Sequence, residues 1–136
     1  MSASDPVVIV GMARTPMGAL LGELAGFSAN ELGAHAIKAA MSEAGVQGEA
    51  VELVYMGNCL PAGQGQAPAR QAGIKSGLPK SAEATTVNKM CGSGMQAAVM
   101  GRNAILAGEA GDIRRVLQRR EYPAFAQCAY RDIMTE

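Results

Sequence analysis

Cys91 lies in the stretch TTVNKMCGSGMQAAVMGRNAILAG, residues 85–108, between a β-branched run and a long apolar one. A cysteine at such a junction has a chemical advantage. The first N–H groups of a helix lack intrahelical partners, and the aligned peptide dipoles place partial positive charge there. Both effects favour thiolate over thiol, and the thiolate is the nucleophile. Lys89 adds to this if its side chain turns inward. Gly92 and Gly94 in the first turn cost roughly 1 kcal/mol each against alanine, a cost that close approach of something to the backbone would explain. Position alone leaves two readings open: a nucleophile, or a buried structural cysteine, the common fate of a free thiol.

The other reactive residues carry weaker signals. The chain has three cysteines, with no CxxC and no Cys/His spacing suited to a metal. Cys59 ends a strand-like run with no helix start behind it and reads as structural, and Cys128 has no readable context. His35, the one histidine, falls on the polar face of a helix and reads as solvated. The loop PAGQGQAPARQAG hints at a phosphate cradle through Gly63 and Gly65. No GK[ST] follows, however, and the GxGxxG spacing is absent, so a tight turn is the better reading.

The elements that must position Cys91 follow from periodicity. Residues 7–12 form a short apolar run rich in Val and Ile, as in a strand buried on both faces. Residues 28–44 predict a helix, with Ser28 as its cap, Glu31 completing a capping box and Gly45 as its stop. Leu32, Ala36, Ala40 and Ala44 share its apolar face, opposite Glu31, His35, Lys38 and Ser42. A second strand is expected over 52–60, a helix from near Pro68, a third strand over 84–89 and a last helix over 92–107, closed by Gly108. That last helix is apolar on nearly every side, interrupted only by Gln96, Arg102 and Asn103. It is therefore expected to be buried, with its N-terminus opening into a sheltered pocket. Three strands alternating with three helices predict an α/β fold with a parallel-rich sheet.

Composition narrows the function classes. A chain of 136 residues is one ordinary domain or a piece of a larger one, and can bury roughly two-thirds of its unfolded surface. A formal net charge of zero argues against nucleic acid or an anionic membrane as partner. The start, MSASDPVVIVGMARTP, lacks a basic n-region, and its apolar run is far too short to span a bilayer. Free thiols fit a reducing cytoplasm.

Within this frame NKMCGSGMQA closely resembles the segment around the acyl-accepting cysteine of thiolases, the acetyl-CoA acetyltransferases and 3-ketoacyl-CoA thiolases. VVIVGMARTPMGALLGELAGFSANELGAHAIKAA resembles the amino-terminal strand, loop and first helix of that family, and VYMGNCLPAGQGQAPARQAGIKSGLP its second strand and following loop and helix. Ala67 stands where the family pattern has asparagine. The resemblance implies a thiolase-like amino-terminal half in which Cys91 accepts an acyl group from acyl-CoA as a thioester, its backbone N–H serving as one oxyanion donor. A second acyl-CoA, deprotonated at its α-carbon, then attacks to give a 3-ketoacyl-CoA; thiolysis is the reverse. It implies coenzyme A thioesters such as acetyl-CoA as substrates, no metal or organic cofactor, and homo-oligomers. A ketoacyl-synthase-like condensing enzyme also opens a buried helix with a cysteine, but the CGSGM and GMARTPMG wording favours thiolase. A cysteine hydrolase or redox protein would need a paired histidine or a CxxC.

The resemblance stops near Gly111. None of the 17 glycines lies beyond it, and residues 112–136 hold five arginines and no lysine. In a thiolase the next element is an apolar strand leading into a Gly-Gly-Met-Glu motif. The chain therefore divides into a partial amino-terminal domain, 1–111, and a non-matching tail, 112–136. The tail reads as the product of a frameshift or rearrangement, or as a short helix with Ile113, Val116 and Leu117 on one face and Pro123 ending it. The resemblance also implies machinery absent from these motifs: a Gly-His-Pro histidine that activates the cysteine, a second cysteine working as acid and base, an Asn-Glu-Ala-Phe segment, and a loop domain that holds most of the coenzyme A. A truncated acyltransferase inactive alone is the leading expectation, and a non-catalytic module pairing with another thiolase chain the alternative. Residues 7–12, without the strand that pairs with them in the family, would form an open apolar edge prone to self-association.

Overall fold

The computed structural model describes residues 7–109 and the backbone of a two-residue strand at Phe125–Ala126. Among the described residues three helices and three strands follow one another: α1 (Ala29–Ala44), β1 (Leu53–Gly57), α2 (Pro68–Lys75), β2 (Glu83–Val87), α3 (Ser93–Ala107) and β3 (Phe125–Ala126), with a 3₁₀ turn at Gly48–Ala50. The strands form one parallel sheet in the order β2-β1-β3. The α/β class and parallel sheet follow the sequence expectation, and five of the expected elements lie within a few residues of their predicted positions.

Strand alternation sorts the helices into layers. Val54 and Met56 of β1 point to one face, where a Cβ on Gly33 of α1 would meet Met56 at 2.6 Å and Ala72 of α2 at 3.3 Å. Gly57 points to the other and meets the first turn of α3. Helices α1 and α2 thus cover one face and α3 the other. The core is built from Ile37 and Met41 of α1, Val51, Val54 and Met56 around β1, and Ala69, Ala72, Leu78 and Ala82 beyond it. The buried surface of α1 includes Ala36 and Ala40 of the predicted face, leaves Leu32 and Ala44 half-buried, and adds Gly33, Ile37 and Met41. Ile37 and Met41 belong to it because the large side chains fill the space over the sheet, while Gly33 lets α1 close on α2.

One correction concerns the strands. Residues 7–12 form no strand. The β1 edge away from β2 is taken by β3, and the segment pairs with none of the three strands of the sheet; backbone pairing is what makes a strand. It runs instead beside the C-terminal half of α1: a Cβ on Gly11 would lie 2.5 Å from the Ala40 carbonyl oxygen, and the Met12 N–H donates to Glu43 Oε2 at 2.7 Å. Val8, Ile9, Val10 and Met12 are exposed where burial on both faces was expected. The helix pattern through Ile113, Val116 and Leu117, and Cys128, lie outside the described residues.

The α1 cap forms as the sequence specifies. Ser28 Oγ accepts from the Glu31 N–H, the Glu31 carboxylate accepts from the Ser28 N–H at 2.8 Å, and Gly45 closes the helix at φ +67°. Hydrogen bonds from the Ser28 backbone and hydroxyl, and then the Lys75 ammonium, hold the Glu31 carboxyl below its ordinary value. A depressed folded value stabilises the fold above the unfolded value and is lost as pH falls through the folded one. Hydrogen exchange in the first turn of α1 should therefore be unchanged from pH 7 down to about 5 once corrected for intrinsic rates, then rise as pH drops below 4.5, the ordinary value. Ser28→Ala should cost about 1 kcal/mol and flatten that rise; an unchanged pH dependence in the variant would rule out the cap as its origin.

At the start of α2, Ala67 occupies the N-cap at φ +47° with no side-chain cap, followed by Pro68 at the first helical position. A left-handed alanine costs roughly 1–2 kcal/mol, whereas asparagine tolerates that conformation and caps helices. Ala67→Asn is expected to stabilise the chain by about 1 kcal/mol, raising the melting midpoint by several degrees. No rise on differential scanning fluorimetry would mean that the loop, and not the residue, sets this conformation.

Candidate active site

Cys91 sits in the loop between the end of β2 and the first turn of α3, with its side chain exposed. Hydrogen bonds fix the loop from both sides. The Met90 N–H donates to Asn88 Oδ1 at 3.1 Å, an Asx-type turn. Ser93 Oγ accepts from the Lys89 N–H at 2.9 Å and donates to the Met90 carbonyl at 2.6 Å. The Gly92 and Ser93 N–H groups donate back to the Lys89 and Met90 carbonyls. Ser93 is completely buried at 0% exposure, so one hydroxyl beneath the loop ties together the residues flanking Cys91. Met90 is held at φ +47°, a left-handed conformation that a non-glycine residue keeps only when its surroundings over-determine it.

The close approach anticipated at Gly92 and Gly94 comes from the strand side at Gly94 and from the loop itself at Gly92, where a Cβ would lie 3.3 Å from the Lys89 carbonyl oxygen. A Cβ on Gly57 would lie 2.5 Å from the Gly94 nitrogen and 2.5 Å from the Ser93 carbonyl carbon. The absence of a side chain at the end of β1 lets the first turn of α3 rest on the sheet, and that contact sets the height of Cys91 above it. Lys89 places its ammonium 2.8 Å from Gln96 Oε1, along α3.

The expectation of a helix buried on every side does not hold among the described residues. Helix α3 buries Ser93, Ala97, Gly101 and Ala104, a stripe spaced four, four and three, and turns Met95 (73% exposed), Val99 (42%) and Leu106 (48%) outward. A stripe of small residues lets the helix lie close on the sheet, and three strands offer one face to pack against. The helix start is consequently open to solvent, in place of the sheltered pocket that all-round burial implied.

The remaining candidates separate cleanly. Cys59 is half-buried just past β1, and its carbonyl accepts from Asn88 Nδ2 at 3.4 Å, so its backbone supports the Cys91 loop. His35 is exposed on α1, its ring edge-on to Phe27 at 6.4 Å. The described residues hold no group of three or more His, Cys, Asp or Glu suited to a metal ion. No described helix is long and apolar enough to cross a membrane.

Several residues that shape the site escaped sequence reasoning: Gly57, Asn58, Gln64, Asn88 and Ser93. Gly57 carried a usable signal, since glycine inside a strand run often marks close backbone approach. Ser93 carried none, because an N-terminal helix serine reads equally well as solvated.

Comparison with known proteins places this geometry. A family model described as Thiolase, N-terminal domain, matches residues 7–113. The acetyl-CoA acetyltransferase of Cupriavidus necator is 56% identical over 104 residues, 76% of this chain and 26% of that protein. The probable acetyl-CoA acetyltransferase of Escherichia coli is 52% identical over 104 residues, with the same shares. Among solved structures, the acetyl-CoA acetyltransferase of Syntrophomonas wolfei superposes with a TM-score of 0.73 at 41% identity, over 76% of this chain and 26% of that one. The Acat5 thiolase from Ascaris suum, in complex with coenzyme A, gives 0.74 at 39%, over 75% and 27%. The chain spans about a quarter of the length of the relatives it matches.

Proposed function

Because the chain belongs to the thiolase family, we propose that Cys91 accepts an acyl group from a coenzyme A thioester. The observation that carries this is the place of Cys91, exposed at the mouth of a fixed loop and directly before the first turn of a 15-residue helix. The thiolate attacks the thioester carbonyl, and the Cys91 N–H, at the positive end of α3, donates to the developing oxyanion. Collapse of the tetrahedral species breaks the carbon–sulfur bond to coenzyme A, which leaves as a thiolate and takes a proton from solvent. Covalent catalysis of this kind divides one difficult acyl transfer into two easier ones. The substrate class is acyl-CoA, with acetyl-CoA as the test case, and the reading calls on no resident metal or organic cofactor.

The proposal confines residues 7–109 to acyl acceptance. Condensation or thiolysis also needs a base that activates the cysteine and an acid–base group at the substrate α-carbon, and a missing general base typically costs on the order of 10²–10⁴-fold in rate. His35 is exposed on a different helix and supplies neither. Residues 112–136 are proposed as a segment outside the thiolase-like domain that lends Phe125–Ala126 to the edge of its sheet.

The test is to incubate the chain with acetyl-CoA and read intact and peptide masses, with Cys91→Ala as control. Selective acetylation of Cys91 over Cys59 and Cys128 is expected. Equal labelling of the three thiols, or none, overturns the proposal. A second reading, a module that completes another thiolase chain, is favoured by the exposed apolar residues Val8, Ile9 and Met12 beside α1. It predicts a co-purifying thiolase polypeptide and no acetylation of the isolated chain.

A further inference from the structure

We infer that the side-chain amides of Asn30, Gln71, Gln64 and Asn58 form one positioning network that sets the conformation of the Cys91 loop from α1, on the far side of the sheet. The inference rests on the acyl-acceptor reading for its functional meaning, and its structural half is tested independently of that reading.

The connections are continuous. Asn30, in the first turn of α1 and 4% exposed, donates from Nδ2 to Gln71 Oε1 at 2.6 Å and to the Gln64 carbonyl at 3.4 Å. Gln71 Nε2 donates to the carbonyls of Gln64, at 2.9 Å, and Gln66, at 2.7 Å. The Gln64 side chain then closes the loop onto β1: its Oε1 accepts from Asn58 Nδ2 at 2.5 Å and its Nε2 donates to the Leu60 carbonyl at 2.7 Å. Asn58 Oδ1 accepts from the Leu60 N–H at 3.3 Å. The Asn58 backbone N–H extends the β1–β2 ladder to the Val87 carbonyl at 2.9 Å. From there Cys59 and Asn88 pass the constraint to the Met90 N–H, one residue before the nucleophile.

Two facts argue that this arrangement does more than fill space. Asn58 is 2% exposed, and burying an amide costs free energy that an apolar residue of similar size would not. A connected polar network gives in return a defined conformation at the members whose groups are paired, as both the Nδ2 and Oδ1 of Asn58 are. The Cys91 loop needs such a constraint, because Met90 is left-handed and relaxes unless it is held. Asn30 acts through its donor side: its Oδ1 has no hydrogen-bond partner among the described residues.

Gln71 is the residue to change, since it lies on α2 outside the loop that carries Cys91. In the full chain, Gln71→Ala and the similarly sized Gln71→Met should speed amide hydrogen exchange at Met90 by on the order of tenfold, the effect of one lost hydrogen bond of ordinary strength. Exchange at Met41 and Val54, in the core, should stay within twofold. The same variants should slow acetylation of Cys91 by acetyl-CoA while leaving the exchange pattern of the core amides unchanged. Uniform acceleration at Met90, Met41 and Val54 would show general destabilisation and overturn the network, as would an unchanged Met90 amide. If Gln71→Ala fails to fold, Gln71→Met carries the test. A wild-type chain that acetyl-CoA does not label at Cys91, but whose Met90 amide responds to Gln71, would overturn the acyl-acceptor reading and leave the positioning network standing.

Discussion

Gly57→Ala is expected to destabilise the chain by about 3 kcal/mol, the upper part of the range for overpacking a well-packed site. The new Cβ would lie 2.5 Å from two backbone atoms, the Gly94 nitrogen and the Ser93 carbonyl carbon, against roughly 3.5–4 Å for relaxed carbon contacts. No rotamer change relieves a clash with backbone, so either β1 or the first turn of α3 must move. Stability of an ordinary domain is only about 5–15 kcal/mol, and the loss should be plain as a fall in the urea midpoint. Gly57→Ser should behave like Gly57→Ala because both add the same Cβ. The variant should also lose selective labelling of Cys91, since the turn that moves is the one that presents it. A variant within about 1 kcal/mol of wild type would show that α3 does not rest on Gly57 in solution.

The contrast between Gly57 and α1 shows what the sequence makes legible. Signals that act within one element were readable: Ser28 with Glu31, Gly45 after the last turn, and Pro68 opening α2 are local devices whose chemistry needs nothing distant. Cys91 was readable as a candidate for the same reason, since a strand run ending in Cys-Gly before a helical run is a local pattern. Features that depend on what an element packs against were not. Residues 7–12 have the composition of a buried strand, but a strand exists through its partner, and β3 holds the β1 edge that might have received them. Helix α3 reads as apolar all round, yet apolarity states what a surface prefers and not how much neighbouring surface is present. The amides Asn30, Asn58, Gln64 and Gln71 were invisible for a related reason. They lie up to 41 residues apart, and each taken singly reads as a solvated polar residue.

The exposed surfaces bear on chemistry as well as on stability. The proposed acyl acceptance by Cys91 requires that its loop keep one conformation, and the described fold supports the loop from below and from one side: Ser93 and Gly57 beneath, Asn88 alongside. Above the loop the thiol is open. Electrostatic stabilisation of an oxyanion is weaker where water competes, so acyl transfer to Cys91 in this setting should be slow even when selective. Selectivity among thiols, and not rate, is therefore the appropriate readout of the site.

Ser93→Ala should cost about 2 kcal/mol, within the range for leaving a buried donor or acceptor unpaired. The hydroxyl accepts from the Lys89 N–H and donates to the Met90 carbonyl. Its loss orphans the Lys89 N–H, whereas the Met90 carbonyl keeps the Ser93 N–H as a donor. The damage should therefore fall on the segment before Cys91 and spare α3, which keeps its apolar stripe of Ala97, Gly101 and Ala104. Amide exchange should rise at Lys89 and Met90 well before it rises at Ala97, and Cys91 should lose its labelling preference over Cys59. Ser93→Thr keeps the hydroxyl but adds a methyl group at a position with no exposed surface, beside Gly57. It should lose stability through crowding while retaining the Lys89 and Met90 protection pattern. That difference separates the two roles of Ser93. If Ser93→Ala and Ser93→Thr change the same amides, then packing against Gly57 holds the loop, and the hydroxyl only follows it.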